Sequence, residues 1–135
     1  MIGAHEQGEV SFMNALPIKQ RTAATYLINQ FEVVDLVDLF YNGPTLQLQQ
    51  DFSLEDADWS GLICSVLLTR LTLFHPNFQY PKSYVKFLLA LSFKAYCQLH
   101  QGQLELSAVA DHAERDFPYF SSWFKQLLSL YQSQK

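Results

Sequence analysis

Glu32 and Asp35 stand three residues apart, one helical turn, a spacing at which two carboxylates can share a cation or divide acid and base work. A metal centre inside a helical bundle also needs Glu-x-x-His companions projecting from other helices. None is present. The histidines are scattered: His5, His75 ahead of a proline, His100 at a helix end and His112 beside Asp111. Each reads as a surface or capping residue rather than a general base. The chain also lacks a serine nucleophile elbow, a Gly-x-Gly phosphate loop and a Cys/His zinc spacing. A catalyst would have to draw on Glu32, Asp35 or His112, and the expectation is no enzyme, no metal and no cofactor. Cys64 and Cys97 fall inside apolar helical patterns without CxxC spacing, so they read as two buried free thiols of a reducing compartment.

Charge is the least random feature. From Arg21 to Arg70 the chain carries Glu32, Asp35, Asp38, Asp51, Glu55, Asp56 and Asp58 and no intervening Lys or Arg. From Asp58 to Glu105 it carries Arg70, Lys82, Lys86 and Lys94 and no intervening acid. Two readings follow. Either the opposite charges face each other within one bundle, or they stay apart and steer self-association or a basic partner. Helix-dipole compensation accounts for Glu55, Asp56 and Asp58 alone.

The other concentration is aromatic: DFPYFSSWF, Asp116 to Phe124. At 100° per residue, Phe117, Phe120, Phe124, Leu127, Leu128 and Tyr131 share one core-facing arc. Tyr119, Trp123 and Leu130 fall on a flanking arc, while Ser121, Ser122, Lys125, Gln126, Ser129 and Gln132 take the remaining side. The flanking arc either seals against the first or third helix or forms the aromatic centre of an interface with another protein.

The surrounding stretch LSAVADHAERDFPYFSSWFKQ resembles the first helix-turn-helix of AraC-type transcription regulators. Ala110 and Ala113 match the first helix of that motif, and Tyr119, Phe120, Ser121, Phe124 and Lys125 match its recognition helix. Glu114 stands where the family has its turn glycine and Ser122 where a basic residue is usual. The likeness implies helix-hairpin packing and, as the alternative function, a degenerate DNA-binding regulator. On that alternative Lys125, Lys82, Lys86 and Lys94 contact nucleic acid. The net charge of −4 opposes any broad coating of phosphate backbones.

The elements that position these residues are helices. A chain of 135 residues with 49% hydrophobic and only 16% charged residues is long enough for one core and short of charge for its exterior. Residues 1–16 read as a loose polar tail and 17–135 as the bundle domain. MIGAHEQGEVSF lacks the basic and apolar regions of a secretory signal, and no apolar run has spanning length, so a soluble cytoplasmic protein without membrane contact is expected. The first helix is expected from Pro17 to Tyr41, stopped by Asn42, Gly43 and Pro44. A loop, GPTLQLQQDF, leads to Ser53, whose SLED pattern approaches a capping box. The second helix carries Trp59, Leu62, Ile63, Val66, Leu67, Leu71 and Phe74 at helical spacing, with small Gly61, Ser65, Thr69 and Thr72 on its far side. HPNFQYP interrupts it. The third helix runs from Lys82 to His100 with Gly102 as its cap, its apolar faces supplied by Tyr84, Phe87, Leu88, Leu91 and Tyr96. Ser107 caps a brief helix, and Pro118 opens the last one, to about Gln132. The expected architecture is all-α, a single-domain helical bundle of four long helices plus one short helix. The expected function is a small acidic protein–protein interaction module, an adaptor, chaperone or regulator. Its binding residues are Tyr119, Trp123 and Leu130 with Glu32, Asp35 and Asp38, and it is expected to be a homodimer.

Overall fold

The regular spacing from Trp59 to Leu71 produces α4 (Asp56–Leu71), on which the other long helices pack in the computed structural model, which describes residues 16–134. Before it come α1 (Ile18–Gln30), α2 (Val33–Asn42) and α3 (Leu46–Asp51). After it come α5 (Lys82–Leu99), a 3-10 turn (Leu106–Ala108), α6 (Val109–Ala113) and α7 (Pro118–Ser133). Among the described residues there is no strand. The expected tail lies outside the described residues except for Leu16, which packs against the core.

The single first helix expected from the sequence is two. Phe31 and Glu32 are extended (φ −116°, ψ 137° and φ −83°, ψ 169°), and the Glu32 backbone N–H donates to Asp35 Oδ2 at 2.9 Å, starting α2 afresh. The buried residues explain the break. Ala23, Ala24 and Leu27 on α1 and Leu36, Leu39 and Phe40 on α2 would face roughly opposite sides of a straight helix at about 100° per residue. Reorienting the chain at residues 31 and 32 lets both sets pack on α4. Val34 and Tyr26 lie outside both packed sets and are exposed.

Further boundaries differ for local reasons. The presumed loop before Ser53 contains α3, capped by the Thr45 hydroxyl accepting from the Leu48 N–H at 3.2 Å. Ser53 is not the cap of α4, because the helix starts three residues beyond it, with Glu55 in the N-cap position. Ser107 likewise lies inside the 3-10 turn rather than capping a helix. Phe74 falls after the end of α4 and is partly exposed. The α5 helix ends in a Schellman motif: Gly102 N–H donates to Cys97 O at 3.1 Å and Gln101 N–H to Gln98 O at 3.2 Å. Gln101, not Gly102, takes the left-handed position, with φ 53°.

Small residues set the closest helix contact. On α4, Ser65 and Thr69 are buried, and Gly61 lies against Leu99 of α5. Gln98 Nε2 donates to Ser60 Oγ at 3.0 Å, so the start of α4 meets the end of α5 and the two run antiparallel. At the opposite end of α5, Gln134 Nε2 donates to Tyr80 O at 3.1 Å, while Tyr96 stacks on Phe120 with centroids 5.5 Å apart. These contacts make α7 antiparallel to α5 as well. Phe120, Trp123, Phe124, Leu127 and Leu130 fill the space between α7 and its neighbours.

Candidate functional site

The acids singled out in the sequence lie on the outer side of α2. Glu32, Asp35 and Asp38 are all exposed. Asp35 is occupied in starting the helix, and Asp38 Oδ1 accepts from Asn42 Nδ2 at 2.7 Å. Among the described residues no three His, Cys, Asp or Glu side chains converge in a way that holds a metal. Val34, Asp38 and Tyr41 recur at i, i+4 and i+7, so they form one stripe, and Val34 is 73% and Tyr41 55% exposed. An aliphatic and an aromatic side chain thus stand in water beside the carboxylates.

The bases of the middle segment occupy the corresponding outer face of α5. Lys82, Lys86 and Lys94 are exposed, and so are Ala90 and Phe87 between them. Phe87, expected to help form the apolar faces of this helix, is half exposed because Val85, Leu88, Leu89, Leu91 and Ser92 occupy the inward positions. Among the described residues no ion pair joins these lysines to the acids of α2. The ammonium of Lys94 instead lies over the Tyr41 ring at 5.3 Å, and that of Lys82 over Tyr131 at 5.9 Å. The Lys94 contact brings the end of the α2 stripe beside the α5 stripe. Next to it, Phe93, Lys94, Cys97 and the turn Gln101–Gln103 border an open groove of about 510 Å³.

The aromatic edge is placed differently from the expectation. Trp123 is 5% and Leu130 6% exposed, so neither belongs to an outward ridge. The indole Nε1–H of Trp123 donates to the Phe74 carbonyl at 2.7 Å, reaching the chain that follows α4, and its ring leans on Phe120 at 6.0 Å. Tyr119 alone of that set is partly exposed. Ser121, assigned to the polar side, is buried and its hydroxyl donates to Ala110 O at 2.6 Å. This bond fastens α6 to α7, as the helix-hairpin reading requires. The outer face of α7 then presents Ser122, Lys125, Gln126 and Ser129, a single cation among neutral side chains.

Sequence reasoning missed one polar cluster. The hydroxyl of Tyr96 on α5 lies 2.7 Å from His112 Nδ1 on α6, with the His100 ring centroid 4.3 Å from Tyr96 and 4.8 Å from His112. Burial, with smaller contributions from Asp116 and Cys97, pushes the Tyr96 hydroxyl up to about 12, so it keeps its proton at neutral pH. A protonated hydroxyl can donate to Nδ1 or accept from it, and either arrangement ties α5 to α6 through this bond. Burial, then the neighbouring His112, lowers the pKa of His100, against a smaller opposing effect of Asp116. His100 Nε2 is buried without a hydrogen-bond partner among the described residues. Positions 96 and 112 come together because the α6–α7 hairpin, closed by Ser121 to Ala110, packs on α5 through Phe120 to Tyr96, and no local pattern encodes that placement. None of the three residues lines the groove, so the cluster reads as a polar rivet between α5 and α6.

Both cysteines are free thiols. Cys64 is enclosed by α4's neighbours, where burial pushes its thiol up to about 12, while Cys97 borders the groove. Among the described residues no helix is long and apolar enough to cross a membrane. No protein-family model, curated protein or solved structure matches the chain, so the helix-turn-helix likeness rests on residues 106–126 alone.

Proposed function

We propose that the chain is a small non-enzymatic protein-interaction module, an adaptor, chaperone or regulator that works through the exposed faces of α2 and α5. The observation that carries this reading is the pairing of apolar and charged residues on surfaces the bundle leaves uncovered. Lys86, Phe87, Ala90 and Lys94 form one such stripe, and Val34, Asp38 and Tyr41, with Asp35 beside them, form the other. An aromatic flanked by charges is what the centre and rim of a protein interface require. Trp123 and Leu130 serve this function only by holding α7 in place, and the exposed stripes replace them as contact residues. A cytoplasmic location and a dimeric state belong to the same reading.

Affinity purification from native cells tests it. Wild type is compared with Lys86→Glu and Phe87→Ala, whose side chains lie outside the core. A protein retained by wild type and lost with both variants supports the module. Identical retention profiles for all three forms remove the α5 face from the function.

The α6–α7 hairpin favours a second reading, a degenerate DNA-binding regulator, because the Ser121 bond to Ala110 leaves Ser122, Lys125, Gln126 and Ser129 outward on one helix. Duplex binding that weakens steeply with salt and with Lys125→Ala is its signature. Absence of a mobility shift at low salt retires it.

A further inference from the structure

We propose that the two exposed stripes take a second copy of this chain, the acidic α2 stripe of each protomer lying on the basic α5 stripe of the other. This inference rests on the interaction reading and names the partner. Its ground is complementarity carried by a single molecule. The α2 stripe is acidic and apolar through Asp38, Val34 and Tyr41, and the α5 stripe is basic and apolar through Lys86, Lys94 and Phe87. Their lengths agree. Val34 to Tyr41 spans about 10 Å and Lys86 to Lys94 about 12 Å at 1.5 Å per helical residue.

Their placement agrees as well. The Lys94 ammonium over the Tyr41 ring, at 5.3 Å, makes the two stripes neighbours on one surface. A two-fold axis near that contact brings both stripes of one protomer onto both stripes of the other, so every pairing occurs twice. Among the described residues no ion pair joins the acids of α2 to the lysines of α5, and Asp38, Lys86 and Lys94 are exposed to a facing molecule, Lys94 from its place over the Tyr41 ring. The shared face also covers the half-exposed Phe87 ring and the Val34 side chain, consistent with a chain that has only 16% charged residues for its exterior. Asp35 contributes charge from the flank but is committed to the start of α2, so it is left intact in the test.

Two charge-reversal variants test the arrangement by sedimentation at low salt. In the first, Val34→Lys/Asp38→Lys, the α2 stripe becomes basic. In the second, Lys86→Glu/Lys94→Glu, the α5 stripe becomes acidic. Wild type is expected to dimerise, and each variant alone to associate about tenfold more weakly or worse. Mixed together, the variants present opposite charges at both halves of the interface and should recover a 1:1 dimer. Far-UV circular dichroism checks that each remains helical. Should either variant unfold, Phe87→Ala replaces it, since this exposed ring is outside the core and its loss should still weaken dimerisation.

A wild type that stays monomeric at every concentration overturns the proposal, as does a dimer whose strength is unchanged in both reversal variants or in Phe87→Ala. A mixture that remains monomeric overturns the paired-stripe geometry. The interaction reading can survive the loss of this proposal. If wild type is monomeric but a native-cell protein is still lost with Lys86→Glu and Phe87→Ala, the α5 face binds another protein rather than a second copy.

Discussion

Tyr96 and His112, sixteen residues apart, are joined by a hydroxyl-to-Nδ1 distance of 2.7 Å, and the ring of His100 packs against both. The three side chains rivet the end of α5 to α6, so the protonation of His100 bears on how firmly the C-terminal hairpin is held.

His100 sets the sign of the pH dependence. Its folded-state pKa lies below the ordinary 6.5, mainly through burial and then through His112, so the unfolded chain takes up the proton first as pH falls. Where the unfolded state binds more protons, stability rises with pH. The contribution of His100 is therefore complete above about pH 6.5 and declines as the pH drops below it. Thermal melts of wild type should lose Tm between about pH 7.5 and 5.5, and His100→Gln should lose less over that interval. An equal loss in both proteins would assign the acid sensitivity to other groups.

The hydroxyl of Tyr96 separates from its ring in a second experiment. Tyr96→Phe keeps the stack on Phe120, at 5.5 Å and 18° between planes, and removes only the bond to His112. Because His112 is exposed, water can take up its freed Nδ1, and the expected cost is about 0.5–1.5 kcal/mol in urea denaturation. Tyr96→Ala also empties the ring's site and should cost about 3–5 kcal/mol. The difference between the two measures what the ring contributes.

Trp123 should behave as a core residue and not as an interface residue. Trp123→Ala is expected to cost about 3–5 kcal/mol, from lost burial and the cavity left behind. Trp123→Phe retains much of the packing but leaves the Phe74 carbonyl without its indole donor, at about 1–3 kcal/mol. Both should appear in denaturant unfolding. If instead Trp123→Phe leaves stability unchanged and weakens self-association, the indole has a role at the surface that its 5% exposure contradicts.

The hairpin bond of Ser121 gives a local test of the α6–α7 packing. Ser121→Ala removes the 2.6 Å contact to Ala110 O at a site 2% exposed, leaving a carbonyl without its donor. A loss of about 1–3 kcal/mol is expected. Ser122→Ala, one residue on and exposed, should change stability by about 0.5 kcal/mol at most.

These contrasts also show which parts of the molecule the residue pattern can reveal. The helix character of α4, α5 and α7 was legible because their apolar residues recur at helical spacing and proline or a turn bounds them. The break after Gln30 was not, since a helix restarted by Glu32 and Asp35 uses residues that also suit a helix interior, and only the opposite directions of Leu27 and Leu36 betray it. Angular projection separated Trp123 and Ser121 from the core because it treats a helix as having one buried side, whereas α7 is enclosed by α4, α5 and α6. The charge segregation was legible in the sequence, but the position of the stripes beside each other depends on the Tyr41–Lys94 contact. The Tyr96–His100–His112 cluster depends in the same way on how α6 folds back over the end of α5, a tertiary placement that residue spacing does not fix.

Gly61 offers a prediction in the stabilising direction. It lies inside α4, where glycine is less favourable than alanine because it gains more freedom on unfolding. The reason for a small residue there is the approach of α5, but a Cβ at this position would stand 3.9 Å from Leu99 Cδ1, an ordinary contact. Gly61→Ala is therefore expected to raise stability by about 0.5–1 kcal/mol, read as a higher urea midpoint with an unchanged slope. Gly61→Leu has to displace Leu99 and should lower it. A loss with alanine would mean that α4 and α5 need a closer approach at Gly61 than this packing has.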